Sequence, residues 1–337
     1  MLQEAGEAPS RLKLYLPELR IHAAKVAAAL RVHDPDLVVT CARGSSDHAA
    51  TFAKYLIETV LRIPTLSHGL SVSSVYHATS PRLSRSAALF LSQSGRSPDL
   101  LATAHEIGAA GGTRVALLND LSAPLVQAVD WLLPVGAGPE AAVGATKSVI
   151  ATLAAIVSLV AEWADDAALR SALETLPETL EMAWDIDWSP AEAALLSAQS
   201  VFVLGRGISL GVAQEAALKF KEIAGLHAEA FSTAEVSHGP MTLAGSGFPV
   251  FFFPARDEAA DGVAGQIAAF GARGATTIVA GEGFGGDIVL PVPGGLQPAV
   301  APIVALQSFY RMINALAVER GLDPDSPRFL TKVTQTL

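Results

Sequence analysis

Glu215, Lys219 and Glu222 stand four and three residues apart, a spacing that lays all three on one stripe of a helix. Two carboxylates and an amine on one stripe can move protons if a pocket covers them. Left in water, the same three are a solvated face with an i, i+4 glutamate–lysine pair, and the helix by itself favours that plainer reading. The next residues change the balance. His227, Glu229, Glu235 and His238 follow within one short segment, and His238 precedes Gly239-Pro240. A histidine before Gly-Pro sits on a turn, and loops on a rigid scaffold are where catalytic groups concentrate.

The elements that must hold these groups can be read from periodicity. Ala216, Phe220 and Ile223, with Ala217 and Ala224, make an apolar arc that buries one side of the helix. Upstream, short apolar runs at 37–41, 63–66, 87–91, 114–118 and 131–135 alternate with helical patterns, the last of them running from about 143 to 163. Strands alternating with helices predict a parallel sheet covered on both faces. After a helical connector ending near Trp184, Trp188 and Pro190, the pattern restarts with a strand at 200–204 and further strands at 249–253, 276–280 and 288–290. A helix is expected from about 299 to 320, and the tail from 323 reads as polar and irregular. The strand, Arg-Gly turn and helix around Arg43-Gly44 parallel those around Arg206-Gly207, so the chain reads as an internal repeat of two similar α/β halves. Such halves bind ligands at the C-terminal ends of their strands.

Between the 87–91 strand and its helix lies Ser92-Gln93-Ser94-Gly95-Arg96-Ser97. Ser97 is placed as N-cap with Pro98 at the first helical position. Backbone N–H groups at such a start attract an anion, and the serines add donors. An ordinary polar turn with a serine cap fits the same residues equally well. No Walker lysine and no Gly-x-Gly-x-x-Gly are present, so no nucleotide fingerprint is found.

The 337 residues are half hydrophobic and 17% charged, the composition of an ordered globular protein long enough for two cores. A formal charge of −10 disfavours nucleic acid as a partner. Cys41 stands alone, so no intrachain disulfide forms and a reducing cytoplasm is expected; it reads as a small buried residue rather than a nucleophile. The start, MLQEAGEAPS, has no basic or apolar region of a secretory signal. The apolar run 149–161 is too short to span a bilayer, so no membrane is expected. No spacing of histidines or cysteines suggests a metal, and no cofactor is expected.

The run EAALKFKEIAGLHAEAFSTAEVSHGP closely resembles the sugar isomerase (SIS) domain family, which includes the isomerase half of glucosamine-6-phosphate synthase and stand-alone sugar-phosphate deaminases. The resemblance covers nearly the whole chain from about residue 20. It implies an α/β fold of two tandem SIS subdomains, each a doubly wound parallel sheet flanked by helices, flavodoxin-like and three-layered. The subdomains would span 20–165 and 191–322, joined by a helical connector at 166–190, with a tail at 323–337 closing over the active site. It implies that Glu222 is the catalytic carboxylate, His238 the ring-opening acid–base group, Lys219 the catalytic-helix lysine and Glu215 its orienting partner. Ser92, Gln93, Ser94 and Ser97 match the family's sugar-phosphate loop, and Gly44-Ser45-Ser46 matches its Gly-Thr-Ser turn, which adds Ser46. The second half has Phe252-Phe253-Pro254-Ala255 in the matching place, without serines, so one phosphate site per chain is expected.

Two further segments extend the resemblance. Glu140–Lys147, EAAVGATK, is similar to the family's E-x-G-V-A-S-T-K and implies backbone contacts to the sugar from Val143 and Gly144; it departs at Ala142 and at Ala145, where a hydroxyl is lost. Taken locally, the segment is simply the start of a buried helix. The tail DPDSPRFLTKVT resembles the synthase ending and implies that Lys332 meets the carbonyl end of the sugar, although Phe329 replaces the usual Asn. On its own, Lys332 reads as a solvated tail charge. His48, His68 and His227 read as structural or peripheral.

The resemblance implies aldose–ketose chemistry on an amino sugar phosphate. A carboxylate near C1 and C2 shuttles a proton between them, and an imidazole opens the ring. The chain shows neither a glutaminase domain with its leading nucleophilic cysteine nor a helix-turn-helix extension, so the leading expectation is a stand-alone glucosamine-6-phosphate deaminase acting as a homodimer, with His238 donated across the interface. Another aldose–ketose isomerase, a fructosamine-phosphate deglycase, or a catalytically silent sugar-phosphate sensor are the alternatives.

Overall fold

Short runs of Val, Leu and Phe that are apolar on both faces cannot stay in water, and here they stack into two parallel sheets. The computed structural model describes residues 1–78 and 80–332. Along the chain the elements are α1 (Leu2–Gly6), α2 (Ala8–His33), β1 (Leu37–Cys41), α3 (Ser45–Leu56), β2 (Thr65–Ser67), α4 (Leu70–Ser74), β3 (Ser86–Ser92), α5 (Pro98–Ala109), β4 (Thr113–Leu118), β5 (Trp131–Pro134), α6 (Lys147–Trp163), α7 (Ala167–Asp185), α8 (Ser189–Leu195), β6 (Ser200–Gly205), α9 (Ser209–Glu222), β7 (His227–Ser232), β8 (Pro249–Phe253), α10 (Val263–Gly271), β9 (Thr276–Ala280), β10 (Ile288–Leu290) and α11 (Ala301–Glu319). Val333 and Thr334, which end the tail motif, and the rest of 333–337 lie outside the described residues.

The chain divides into two compact units. An N-terminal unit holds Ser10–Glu140 and Lys147–Glu174, with Thr331 and Lys332 of the tail. Its sheet runs β2-β1-β3-β4-β5, all parallel. A C-terminal unit holds Met1–Pro9, Ala141–Thr146 and Thr175–Leu330. Its sheet runs β10-β9-β8-β6-β7, again all parallel. Numbered within its own unit, each sheet has the order 2-1-3-4-5, so both have a topological switch point where the first strand meets the third. The expected repeat is therefore a repeat of topology.

Burial explains why each unit holds together. In the N-terminal unit Val39, Phe90 and Ala116 from the sheet pack with Leu100, Ala104 and Ile107 of α5. In the C-terminal unit Phe251 and Phe253 of β8 stack 4.9 Å apart, and Phe220 of α9 meets Phe309 of α11 edge-on at 5.2 Å. Each such ring contributes about 1.5–3 kcal/mol by leaving water. The cluster fixes the rotation of α9 and thereby the direction of its polar stripe.

The sequence reading missed β7 and α10. It read the segment from His227 only as leading to a turn at His238, whereas His227–Ser232 forms an edge strand paired with β6, with Ala228 inward and Glu229 outward. Half-exposed edge strands carry weak hydrophobic signals. Helix α11 falls where a helix was expected, at 299–320. Among the described residues it is long and apolar enough to cross a membrane by length and composition, yet 83% of its most apolar window is buried within the protein.

Candidate active site

The stripe on α9 is not a solvated face. Glu215 and Lys219 each keep only 1% of their side-chain surface, while Glu222 keeps 24%. Lys219 Nζ lies 3.1 Å from Glu215 Oε1 and donates to Glu222 Oε2 at 2.7 Å. The Tyr310 hydroxyl on α11 donates to the same Glu215 oxygen at 3.1 Å. Burial disfavours the Lys219 ammonium, but the Glu215 and Glu222 carboxylates beside it outweigh that and push its pKa up. Lys219 is therefore a fixed cation, and a buried cation between two acids holds both side chains in place.

Glu222 is the member of the triad that reaches open space. It lines a cleft of about 410 Å³ with Lys221, Gly225, Asp323, Arg328 and Phe329. The segment carrying Val143 and Gly144 packs at the same end of α9. A Cβ on Gly144 would come within 2.6 Å of Ile223 Cδ1, so only glycine lets this backbone so close. Glu4 of α1, which sequence reasoning passed over, accepts the backbone N–H groups of Ala141 and Ala142 and pins that segment.

His238 is not brought to the cleft. It ends a 3-10 turn, Glu235–His238, anchored by buried Val236, and is exposed. The following Gly239 has φ 145°, which favours glycine. Helix α9 leaves β6 at its C-terminal end and runs back to the N-terminal end of the strands, where Glu222 precedes β7, the neighbour of β6. Strand β7 then pairs His227 with Ser200 and Ser232 with Gly205. Five steps of strand carry the chain about 16 Å away from the Glu222 end before His238 is reached.

In the N-terminal unit the switch point brings together the turn after β1 and the loop after β3. Gly44 has φ 54°, and a Cβ there would meet nothing within 4 Å. Ser46 follows in the first turn of α3. Gly95, with φ 59°, allows the loop to fold back, its N–H donating to Ser92 Oγ at 2.9 Å. Ser97 sits at the N-cap of α5 with Pro98 next, but its hydroxyl makes no capping bond. Ser92, Gln93, Ser94 and Ser97 are all half-buried. The two loops are tied by a pair that sequence reasoning missed. Arg43 reaches Asp99 Oδ2 through Nη2 at 2.8 Å and Nε at 2.9 Å, and the Asp99 side chain is fully buried. Arg96 and Ser122 grip Asp120 at the loop's flank, and the hydrogen bonds from Ser122 and Arg96 hold its carboxyl down to about 2.

The counterpart turn in the C-terminal unit has a close neighbour. Gly207 has φ 59°, as Gly44 nearly does, but a Cβ there would lie 2.9 Å from Ala259 Cβ. Lys332 is no free tail charge: it lies 3.4 Å from Glu140 Oε2, and buried Glu140 also accepts the Ser148 hydroxyl at 2.6 Å.

The SIS domain family matches residues 33–162 and 194–280. The chain belongs to the SIS domain family. The two matched stretches fall on the two sheets, so each sheet is an SIS subdomain. The glutamine–fructose-6-phosphate aminotransferase (isomerizing) of Methanothermobacter thermautotrophicus is 33% identical over 98% of this chain and 56% of its own length. The SIS chain thus spans just over half the length of the curated relatives it matches. Among solved structures, a candidate phosphosugar isomerase from Silicibacter pomeroyi DSS-3 is 43% identical with a TM-score of 0.92, covering 96% of this chain and 99% of that one. The glucosamine-6-phosphate deaminase of Thermotoga maritima shares the fold at a TM-score of 0.81 and 22% identity, with 99% of each chain covered.

Proposed function

We propose that this SIS protein is a phosphosugar isomerase that acts on amino sugar phosphates, converting glucosamine 6-phosphate to fructose 6-phosphate and ammonia. The observation that carries the reading is the α9 triad: a buried, fixed cation holds a carboxylate at the wall of a cleft. A carboxylate so held is a base with a defined direction. The Ser92–Ser97 loop with Ser46 takes the phosphate through N–H and hydroxyl donors. Val143 and Gly144 contact the sugar through their backbone, and Lys332 meets the carbonyl end.

With the ring opened by His238, Glu222 removes the proton from C2; the electron pair forms the C1–C2 double bond as the C1–O π bond opens, and that oxygen takes a proton from Lys332 to give an enolamine. Returning the proton to C1 leaves an imine at C2. Water adds to that carbon and the C2–N bond breaks, releasing ammonia and the ketose. Cys41 is buried with its thiol pKa pushed up by burial, so this residue supplies no nucleophile to the reaction.

The strand path from Glu222 to His238 supports a shared site, in which His238 of one subunit serves the cleft of its partner in a homodimer. A cytoplasmic enzyme of amino sugar metabolism fits this chemistry.

The test follows ammonia release from glucosamine 6-phosphate, and hydrogen exchange at C2 in deuterated water. Wild type should do both. Glu222→Gln, which keeps size and hydrogen bonding, should bind sugar phosphate and do neither. Binding by wild type with no ammonia and no exchange would refute the enzyme and favour a sensor.

A further inference from the structure

We infer that Tyr310 is a positioning residue for proton transfer, acting through Glu215 and Lys219 on Glu222. The inference rests on Glu222 being the base. Lys219 has three N–H bonds to place, and buried Glu215 and part-exposed Glu222 both draw on them. The Tyr310 hydroxyl donates to the very oxygen of Glu215 that faces Lys219. A second donor on that oxygen weakens its hold on the ammonium and leaves more of Lys219 for Glu222. Tyr310 is fully buried, and its ring packs beside Phe309, so the hydroxyl cannot swing away to water. Its helix, α11, packs along α9, which is how a residue 95 positions from Glu215 in sequence comes to touch it.

The charged surroundings of Glu222 are defined. Helix α9 packs against β6, β7, β8 and α11. Strands β6 and β8 carry no titratable side chain; β7 brings His227 and Glu229, and α11 brings Tyr310, Arg311 and Glu319. His227 is engaged by Ser200 and Arg311 by the Trp184 carbonyl, and Lys221, Asp323 and Arg328 line the cleft. Of these, Tyr310 reaches Glu215 directly.

Removing the hydroxyl leaves Glu215 to compete harder for Lys219. Glu222 is then held less firmly by its cation. Tyr310→Phe keeps the ring and should lower kcat for C2 exchange by roughly threefold to tenfold while KM for glucosamine 6-phosphate stays within about twofold. The acid limb of the pH–rate profile should move up by about half a unit, the equivalent of a threefold change. Installing 3-fluorotyrosine at position 310, a stronger donor of the same shape, should move the limb down. On a Glu215→Gln background, Tyr310→Phe should leave the profile unmoved.

A profile for Tyr310→Phe that superimposes on wild type overturns the inference. So does a limb that fails to respond to the fluorinated phenol, which needs no destabilising change. If Glu222→Gln exchanges like wild type, the base assignment falls and takes this inference with it. If Glu222→Gln is dead and the Tyr310 variants are silent, only the inference falls.

Discussion

Replacing Lys219 by Met deletes the cation while keeping most of the side-chain volume. Glu222, with a quarter of its surface exposed, can turn to water; Glu215, with 1%, cannot. The cost is therefore set by one stranded carboxylate, which keeps the Tyr310 donor but loses its counter-charge. Breaking a buried ion pair from one side costs about 3–5 kcal/mol, a large share of the 5–15 kcal/mol that typically separates folded from unfolded protein. Removing the stranded charge as well should restore most of the loss, so Lys219→Met with Glu215→Gln should lie within about 2 kcal/mol of wild type. The assay is urea unfolding of the four proteins of this cycle, read at pH 7 and pH 5. At pH 5 the single variant should recover part of its loss, because a buried lone carboxyl binds a proton more readily folded than unfolded, and stability then rises as pH falls. Wild type has the opposite handle. Its Lys219 pKa is raised above the usual 10.5, so the stability from that charge is full below 10.5 and is lost as pH rises beyond it. A cost below about 1 kcal/mol for Lys219→Met, or a double variant no more stable than the single, would refute a coupled buried triad.

Changing Ser94 and Ser97 to Ala removes two donors from a group remote from the chemistry; KM for the phosphorylated sugar should rise by roughly a hundredfold with kcat little changed, and equal loss with unphosphorylated glucosamine would contradict the role. Mixing His238→Ala with Glu222→Gln under subunit exchange should restore about a quarter of wild-type activity if sites are shared, since half of random dimers are mixed and half of their sites are intact. Activity that stays at the parental level after proven exchange would place His238 in the service of its own chain.

The sequence showed the architecture because buried parallel strands announce themselves as apolar runs, and the matching Arg43-Gly44 and Arg206-Gly207 turns exposed the repeat. It showed which residue types stood on the α9 stripe, but not that the stripe was buried. That depended on the phenylalanines of β8 and α11, which are distant in sequence and fix how α9 is turned. Tyr310, Asp99 and Glu4 were illegible for the same reason: each acts on a residue at least 56 positions away through a side chain that looks ordinary locally. Strand β7 was lost because an edge strand with one wet face has little apolar signal.

Gly44 and Gly207 occupy the same turn in two copies of one topology, yet one is roofless and the other is roofed by Ala259. Symmetry of fold is thus not symmetry of occupancy. The 3-10 turn Glu258–Ala260 carries Ala259 against Gly207, so the second turn has a neighbour that the first lacks. The two copies share a scaffold but not the surroundings of its first turn, so a side chain at position 207 must displace Ala259 while one at position 44 meets no neighbour.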